Sequence, residues 1–345
     1  MTLLDAECAF HFHSNNSSTE LPNSTTASSM IADIYMQWAL ALTQGRSKLM
    51  VIPGALCFFA SLVASPLVLL AIFTSSSLRQ ESRYLLLSNT LISDLIYLVL
   101  NFCIQLFNIS QLSSPKVVCE LLLFTLTTTC CCGIMTITAM VMDTYLAVNW
   151  PLHYITLLPP SRAVRLVIFI WIVVALPQFI ITVIMLTTQQ APFCELQFCE
   201  VDYIFLIVPN GAVLMHLFYG LIIVLLLSCI CLLLSCYFML YWKTRNSGIW
   251  SGFSSRARLT FLMHSVIFAF YFCSMLLLLV ERILYSCDVI KFKTTIFIAR
   301  AMSNTVMVAP KALAPYLYGM RYRELAKVIK SFIFLKEVNQ VEPMF

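Results

Sequence analysis

The sequence predicts an all-α membrane protein, a seven-transmembrane helix bundle with a short amphipathic eighth helix. Of its 345 residues, 60% are hydrophobic and 11% are charged, whereas soluble domains are roughly 45–50% apolar and about 25% charged. Such a chain cannot cover itself with polar surface, which excludes the soluble globular, collagen-like and small disulfide-rich classes. Its few charges fall mainly between apolar stretches of the length that a helix needs to cross a hydrocarbon core of about 30 Å.

Six of these apolar stretches predict one transmembrane helix each. They are residues 49–78, 84–107, 121–142, 166–186, 259–280 and 294–318. Charged side chains are nearly absent from them. Asp94 is the single charge in the second stretch, and the last contains Lys311 within it and Arg300 near one end.

A further stretch, residues 203–242, has no charge over 40 residues and starts near the turn signal Pro209-Asn210-Gly211. It is long enough for two short spans, or for a loop segment followed by one long span. Lys and Arg favour cytoplasmic loops, so the distribution of basic residues distinguishes between these two alternatives. With seven spans and the N-terminus outside, the cytoplasmic segments hold 13 bases and 5 acids, and the extracellular segments 7 bases and 10 acids. Eight spans would put many of these bases on the wrong side, so the sequence predicts seven.

The N-terminal segment, residues 1–48, predicts an extracellular, glycosylated and disordered tail because it is rich in Ser, Thr and Asn. No apolar signal-peptide core precedes the first span, which is expected to direct insertion. Residues 49–318 would form the bundle of a multi-pass plasma-membrane protein, and residues 319–345 the eighth helix and cytoplasmic tail. Acceptor patterns for glycosylation occur at Asn15, Asn16, Asn23 and Asn108.

The eighth helix is expected to lie on the membrane surface. Basic and apolar residues alternate along it, which suits an anionic inner leaflet and makes lipid a partner. The basic residues are Arg321, Arg323, Lys327 and Lys330, and the apolar ones are Leu325, Val328, Ile329 and Phe332.

Short motifs recur at fixed places along the spans. They are, in chain order, Asn89 and Asp94 in span two, Cys119 and Asp143-Thr144-Tyr145 at the two ends of span three, Trp171 in span four, and Ala314-Pro315-Tyr316-Leu317-Tyr318 at the end of span seven. In order and spacing these motifs resemble those of the rhodopsin-like (class A) G-protein-coupled receptors, over roughly residues 50–335. The basic residue in span seven and Ser82-Arg83-Tyr84 look most like a divergent branch that contains orphan and fish odorant-type receptors.

The resemblance implies a receptor that passes an extracellular ligand signal to a heterotrimeric G protein or arrestin. The activation switch would comprise Asp143, Thr144, Tyr145, Pro315 and Tyr318. Thr144 stands where the family has Arg, and a hydroxyl cannot form a bidentate ionic fork. We expect retained but altered coupling; the alternative is a non-signalling decoy or a partner of another receptor.

Asp94 and Lys311 are the two charges expected at membrane depth, where each needs a partner. In the family this acid binds sodium with help from polar groups, but here Gly133, Ala314 and Pro66 occupy the helper positions. Lys311 lies one turn before Pro315, on the side expected to face span two. The hypothesis is that its ammonium replaces sodium; the alternative is an ion pair that only joins two helices.

Five cysteines fall on the predicted outer side, where thiols oxidise. The resemblance implies a bridge from Cys119 to Cys199, with Cys194 as the alternative partner. A second bridge, from Cys8 to Cys287, would tie the tail to the third outer loop. The remaining nine cysteines fall within spans and are expected to pack as small apolar residues.

A ligand pocket is expected between the outer ends of the spans. Leu126 stands where amine receptors carry Asp, which disfavours a biogenic amine. Arg300 would hold a carboxylate or phosphate, or else only reach the membrane surface. No cofactor, metal site, enzymatic cluster or nucleic-acid partner is predicted, and a transporter is disfavoured because no internal repeat is evident. The candidate pocket residues are Asn101, Gln105, Thr127, Glu281, Arg300 and Asn304.

Overall fold

The computed structural model describes residues 47–110, 114–150, 153–188, 195–196, 199–206, 208, 211–246, 255–286 and 293–338. Nearly all of this part is helical. The helices are α1 (Ser47–Thr74), α2 (Ser76–Arg79), α3 (Ser82–Ser110), α4 (Lys116–Asn149), α5 (Tyr154–Leu157), α6 (Pro160–Thr188), α7 (Val201–Leu206), α8 (Gly211–Asn246), α9 (Ser255–Ser286), α10 (Lys293–Arg321) and α11 (Arg323–Val338). Two short strands, β1 (Ser114–Pro115) and β2 (Glu195–Leu196), complete the described elements.

Five helices in the described part of the chain, α1, α3, α4, α6 and α8, are long and apolar enough to cross a bilayer, and α9 contains a shorter apolar segment, Leu262–Leu277. The stretch at residues 203–242, which allowed either one or two spans, contains the end of the short helix α7 and then the single long helix α8. The helix α10 is less apolar because it carries Lys311 and other polar residues.

The helices pack into one bundle with α4 in the middle. This helix contacts α3, α6, α8 and α9, while α10 closes the bundle against α1, α3 and α9. Large apolar side chains such as Val63 and Val213 are about 70% exposed (72% and 70%), whereas Asp94 and Ser93 are fully buried. Apolar groups outside and polar groups inside are the distribution expected of helices that face lipid.

A disulfide and a short ladder join the start of α4 to the segment between α6 and α7. Cys119 and Cys199 are bonded, with their Cα atoms 5.5 Å apart. The strands β1 and β2 pair antiparallel in the register Ser114 to Leu196 and Pro115 to Glu195. The short helix α7 follows directly, so these links hold it over the outer ends of α4 and α8.

Candidate functional site

The two deep charges meet in the interior of the bundle. Lys311 Nζ of α10 lies 3.1 Å from Asp94 Oδ1 of α3. Their side chains are 1% and 0% exposed. Charges in such a setting are costly unless paired, so each charge makes the other tolerable.

Two tyrosines complete the surroundings of this ion pair. The Lys311 ammonium lies 4.6 Å from the ring centre of Tyr97 and 4.2 Å from that of Tyr271, within the range of cation–π attraction. The Tyr271 hydroxyl also donates a hydrogen bond to Asp94 Oδ2. Both carboxylate oxygens are therefore engaged, and the cluster links α3, α9 and α10.

Gly133 of α4 gives the pair its space. A Cβ built on this residue would lie 3.3 Å from Asp94 Oδ1 and 3.8 Å from Lys311 Nζ. A serine there, the kind of polar helper that the resemblance associates with sodium, would crowd the pair. A sodium ion beside Asp94 would also meet the like charge of the Lys311 ammonium, so the residues present do not suit that ion.

A second polar cluster lies near the C-terminal end of α4. The Asp143 carboxylate accepts hydrogen bonds from Tyr154 OH of α5 at 2.8 Å and from Ser82 Oγ of α3 at 3.1 Å. Burial raises the pKa of Tyr154 above its ordinary value, so the phenol keeps its proton for Asp143. Thr144 takes no part, because its hydroxyl donates to Met140 O within α4 at 2.9 Å.

Asn89 connects three helices, as its motif position suggests. Trp171 Nε1 of α6 donates to Asn89 Oδ1 at 2.9 Å, and Asn89 Nδ2 donates to Thr136 Oγ1 of α4 at 2.8 Å. Both side-chain ends of Asn89 are thus satisfied inside the bundle. This arrangement fixes α3, α4 and α6 in one register.

Tyr318, the last residue of the α10 motif, lies in an aromatic cluster. It is fully buried, its ring centre lies 6.3 Å from that of Tyr322 in a stacked arrangement, and the ring of His264 of α9 lies 5.7 Å away. Tyr84 of α3 packs edge-on against Tyr322 at 5.4 Å. The cluster joins α3, α9 and α10, and Pro315 of α10 is also buried.

The profile of the 7 transmembrane receptor (rhodopsin family) matches residues 66–318 of the sequence. The chain belongs to this family. It is also similar to the human protein named Probable G-protein coupled receptor 148, with 30% identity over 289 residues, which are 82% of this chain and 81% of the relative. The expected class A membership is confirmed. The protein is thus a multi-pass plasma-membrane receptor of a family that binds extracellular ligands, couples to G proteins and is not enzymatic in general.

The pairing of Cys119 with Cys199 is confirmed. Asn108 strengthens this link, since its side-chain oxygen accepts from Cys199 N at 2.8 Å and its amide donates to Cys199 O at 3.2 Å. Glycosylation of Asn108 remains a prediction. The other predicted outer positions, Cys8, Cys194, Cys287, Asn15, Asn16 and Asn23, lie outside the described residues.

The structure describes the side chains of four of the six candidate pocket residues. Thr127 lines a cleft between α4, α6, α7 and α8. Asn101 is buried in α3, and Gln105 Oε1 points towards Gly54 of α1. Asn304 is half-buried in α10, while the side chains of Glu281 and Arg300 lie outside the described part.

Sequence reasoning missed the groups that surround the motif residues. Tyr97 and Tyr271 around Lys311, and Ser82 and Tyr154 around Asp143, belong to no motif that the sequence alone singles out as a site. Two signals are available in the sequence: Ser82-Arg83-Tyr84, which the resemblance links only to a divergent branch, and Pro151-Leu152-His153-Tyr154, which resembles the family's loop after the span-three motif. Tyrosines are common inside bundles, so their type alone does not indicate a site.

Proposed function

We propose that the chain is a seven-span class A receptor that carries its own cation in the sodium position and transmits an extracellular ligand signal to a G protein. The observation behind this proposal is the Lys311–Asp94 contact of 3.1 Å in a fully buried position. In this arrangement the ammonium supplies the positive charge that an ion would otherwise bring. The receptor would then signal without dependence on sodium.

The proposed layout follows the charge distribution. Residues 1–48 form the extracellular N-terminal tail, α9 and α10 serve as spans six and seven, and α11 lies on the cytoplasmic leaflet with Lys327 and Lys330 towards lipid headgroups. Both lysines are solvent-exposed, while Leu325 of the same helix is fully buried. This amphipathic pattern supports a surface helix. A place in the divergent branch with orphan and odorant-type receptors belongs to the same proposal.

We propose that the receptor still couples to a G protein, although Thr144 stands where the family motif has arginine. Asp143 is held by Ser82 and Tyr154, so the carboxylate has hydrogen-bond partners without an arginine. The Thr144 hydroxyl donates to Met140 O of its own helix, and a threonine cannot offer the G protein the planar guanidinium fork of an arginine at this position. Arrestin is the other intracellular partner that the family suggests.

A ligand-free G-protein activation screen in cells tests this proposal. We expect wild-type receptor to activate at least one G-protein class above vector control. We expect Thr144→Arg to raise that basal signal several-fold, because Asp143 is already satisfied and the new guanidinium remains available to the G protein. Receptor at the cell surface is quantified in parallel, so that signal is compared per receptor.

Thr144→Val is the matched control. It keeps the shape and removes a hydroxyl that bonds only within α4, so we expect basal signalling to stay at the wild-type level. Silence of both wild-type receptor and Thr144→Arg in every G-protein class would instead favour the second candidate, a non-signalling decoy or partner receptor. The observation that favours this candidate is the missing arginine itself.

A further inference from the structure

A cleft opens between the outer parts of α4, α6, α7 and α8, well away from the ion pair. It is partly open to solvent and is lined by twelve residues of these four helices. Its walls are mainly apolar and aromatic, with Phe124, Met185, Phe205 and Phe218 among them. Such a lining suits the apolar body of a small molecule rather than a hydrated ion.

Two buried polar side chains interrupt this apolar lining. Glu120 of α4 is 4% exposed and Gln178 of α6 is 7% exposed, and both line the cleft. Thr127 and Thr182 also line it, but their hydroxyls donate to Leu123 O and Gln178 O of their own helices. The carboxylate is therefore the group in this lining best suited to hold a charged part of a ligand.

Lys116 explains how a carboxylate is tolerated at this depth. It lies one helical turn before Glu120 on α4, is 5% exposed, and interacts with Glu120 electrostatically. Lys116 is not among the residues that line the cleft. It therefore stabilises the ionised form of Glu120, which itself lines the cleft.

The roof of the cleft is held in place by the outer links. Val201, Ile204 and Phe205 of α7 line it, and α7 follows Cys199, which is bonded to Cys119 next to Glu120. The Asn108 hydrogen bonds fix the Cys199 backbone as well. A preorganised wall lowers the ordering cost of binding.

We propose that this cleft binds a small organic cation, with its ammonium or guanidinium on Glu120 and its apolar or aromatic body against Phe205 and Phe218. The proposal names the ligand class of the receptor and rests on the proposed receptor function. It departs from the sequence expectation, in which Leu126 disfavours a biogenic amine, because the acid that would hold the cation is Glu120 instead. Glu120 lies six residues earlier on α4, about 9 Å nearer the outer surface.

Thermal-shift titration of the purified full-length receptor with 4-phenylbutylamine tests this proposal. 4-Phenylbutan-1-ol and 4-phenylbutyrate serve as uncharged and anionic probes of the same shape. We expect the amine alone to raise the unfolding temperature in a saturable way, and Glu120→Gln to weaken its binding by about 30-fold or more. Glu195→Gln, which removes an exposed carboxylate on the same side, should bind like wild type.

A second variant covers the case in which Glu120→Gln does not fold. Thr182→Trp fills the cleft and leaves the carboxylate in place, and we expect it to abolish the amine shift. Equal shifts with all three probes, an unchanged affinity in Glu120→Gln, or no shift at millimolar amine would each overturn the proposal. Binding is read here without signalling, so a failure of this proposal is distinct from a failure of G-protein coupling.

Discussion

Replacing Lys311 with methionine is expected to destabilise the folded receptor by about 3–5 kcal/mol, the usual cost of leaving a buried charge without its partner. Methionine keeps much of the length of the side chain, so the change removes charge more than volume. Asp94 is fully buried and would keep Tyr271 as its remaining partner in the cluster. The fall is measured as a lower unfolding temperature of purified receptor and a smaller fraction at the cell surface.

If Asp94 and Lys311 stabilise each other, removing both charges together should restore stability that either single change loses. The double variant Asp94→Asn/Lys311→Met should regain most of the lost stability, and the swapped pair Asp94→Lys/Lys311→Asp should rescue the corresponding single changes in part. Lys327→Met is the matched control, because it makes the same substitution at an exposed position of α11 and should change little. Losses that add in the double variant would show that Asp94 and Lys311 are not coupled.

Removing the Cys119–Cys199 disulfide is expected to cost about 2–5 kcal/mol. The bond closes a separation of 80 residues and anchors the loop that leads to α7. Cys119→Ser and Cys199→Ser should each lower the unfolding temperature by a similar amount, and the double variant should be no worse than either. Surface expression and thermal unfolding, with and without reductant, provide the measurement.

Cys103→Ser provides the control for this series, because Cys103 is a free, half-buried thiol of α3. We expect it to unfold at nearly the wild-type temperature. The pairing would be contradicted if Cys119→Ser destabilised the receptor while Cys199→Ser did not. That outcome would assign the partner role to Cys194, the alternative that the sequence left open.

Hydropathy and charge predict the general course of the chain because the bilayer imposes a fixed length on each crossing. The charge argument favours one long span in residues 203–242, and the structure has the long helix α8 there. Hydropathy is weaker for α10, since its inward face carries Lys311 and its apolar positions are interrupted by Pro310 and Pro315. Hydropathy along the sequence does not predict which polar side chain contacts which neighbouring helix.

The ion pair could be anticipated because the motif register fixes the depth of Asp94 and Lys311 on two neighbouring helices. The tyrosine rings around Lys311 could not, since they depend on the rotation of α3 and α9 and on how closely Gly133 lets α4 approach. In the sequence, Glu120 is one acid among those of the predicted extracellular segments, and nothing marks it as a site. Its burial in the cleft depends on the placement of α7, which follows a loop that no span pattern describes.

Sodium dependence of receptor stability tests the central claim most directly. Purified wild-type receptor is unfolded in sodium chloride and in N-methyl-D-glucamine chloride of equal ionic strength, beside Asp94→Asn. The account predicts the same unfolding temperature for wild-type receptor in both salts, because the Lys311 ammonium already neutralises Asp94. Selective stabilisation of the wild type by sodium, lost in Asp94→Asn, would contradict it.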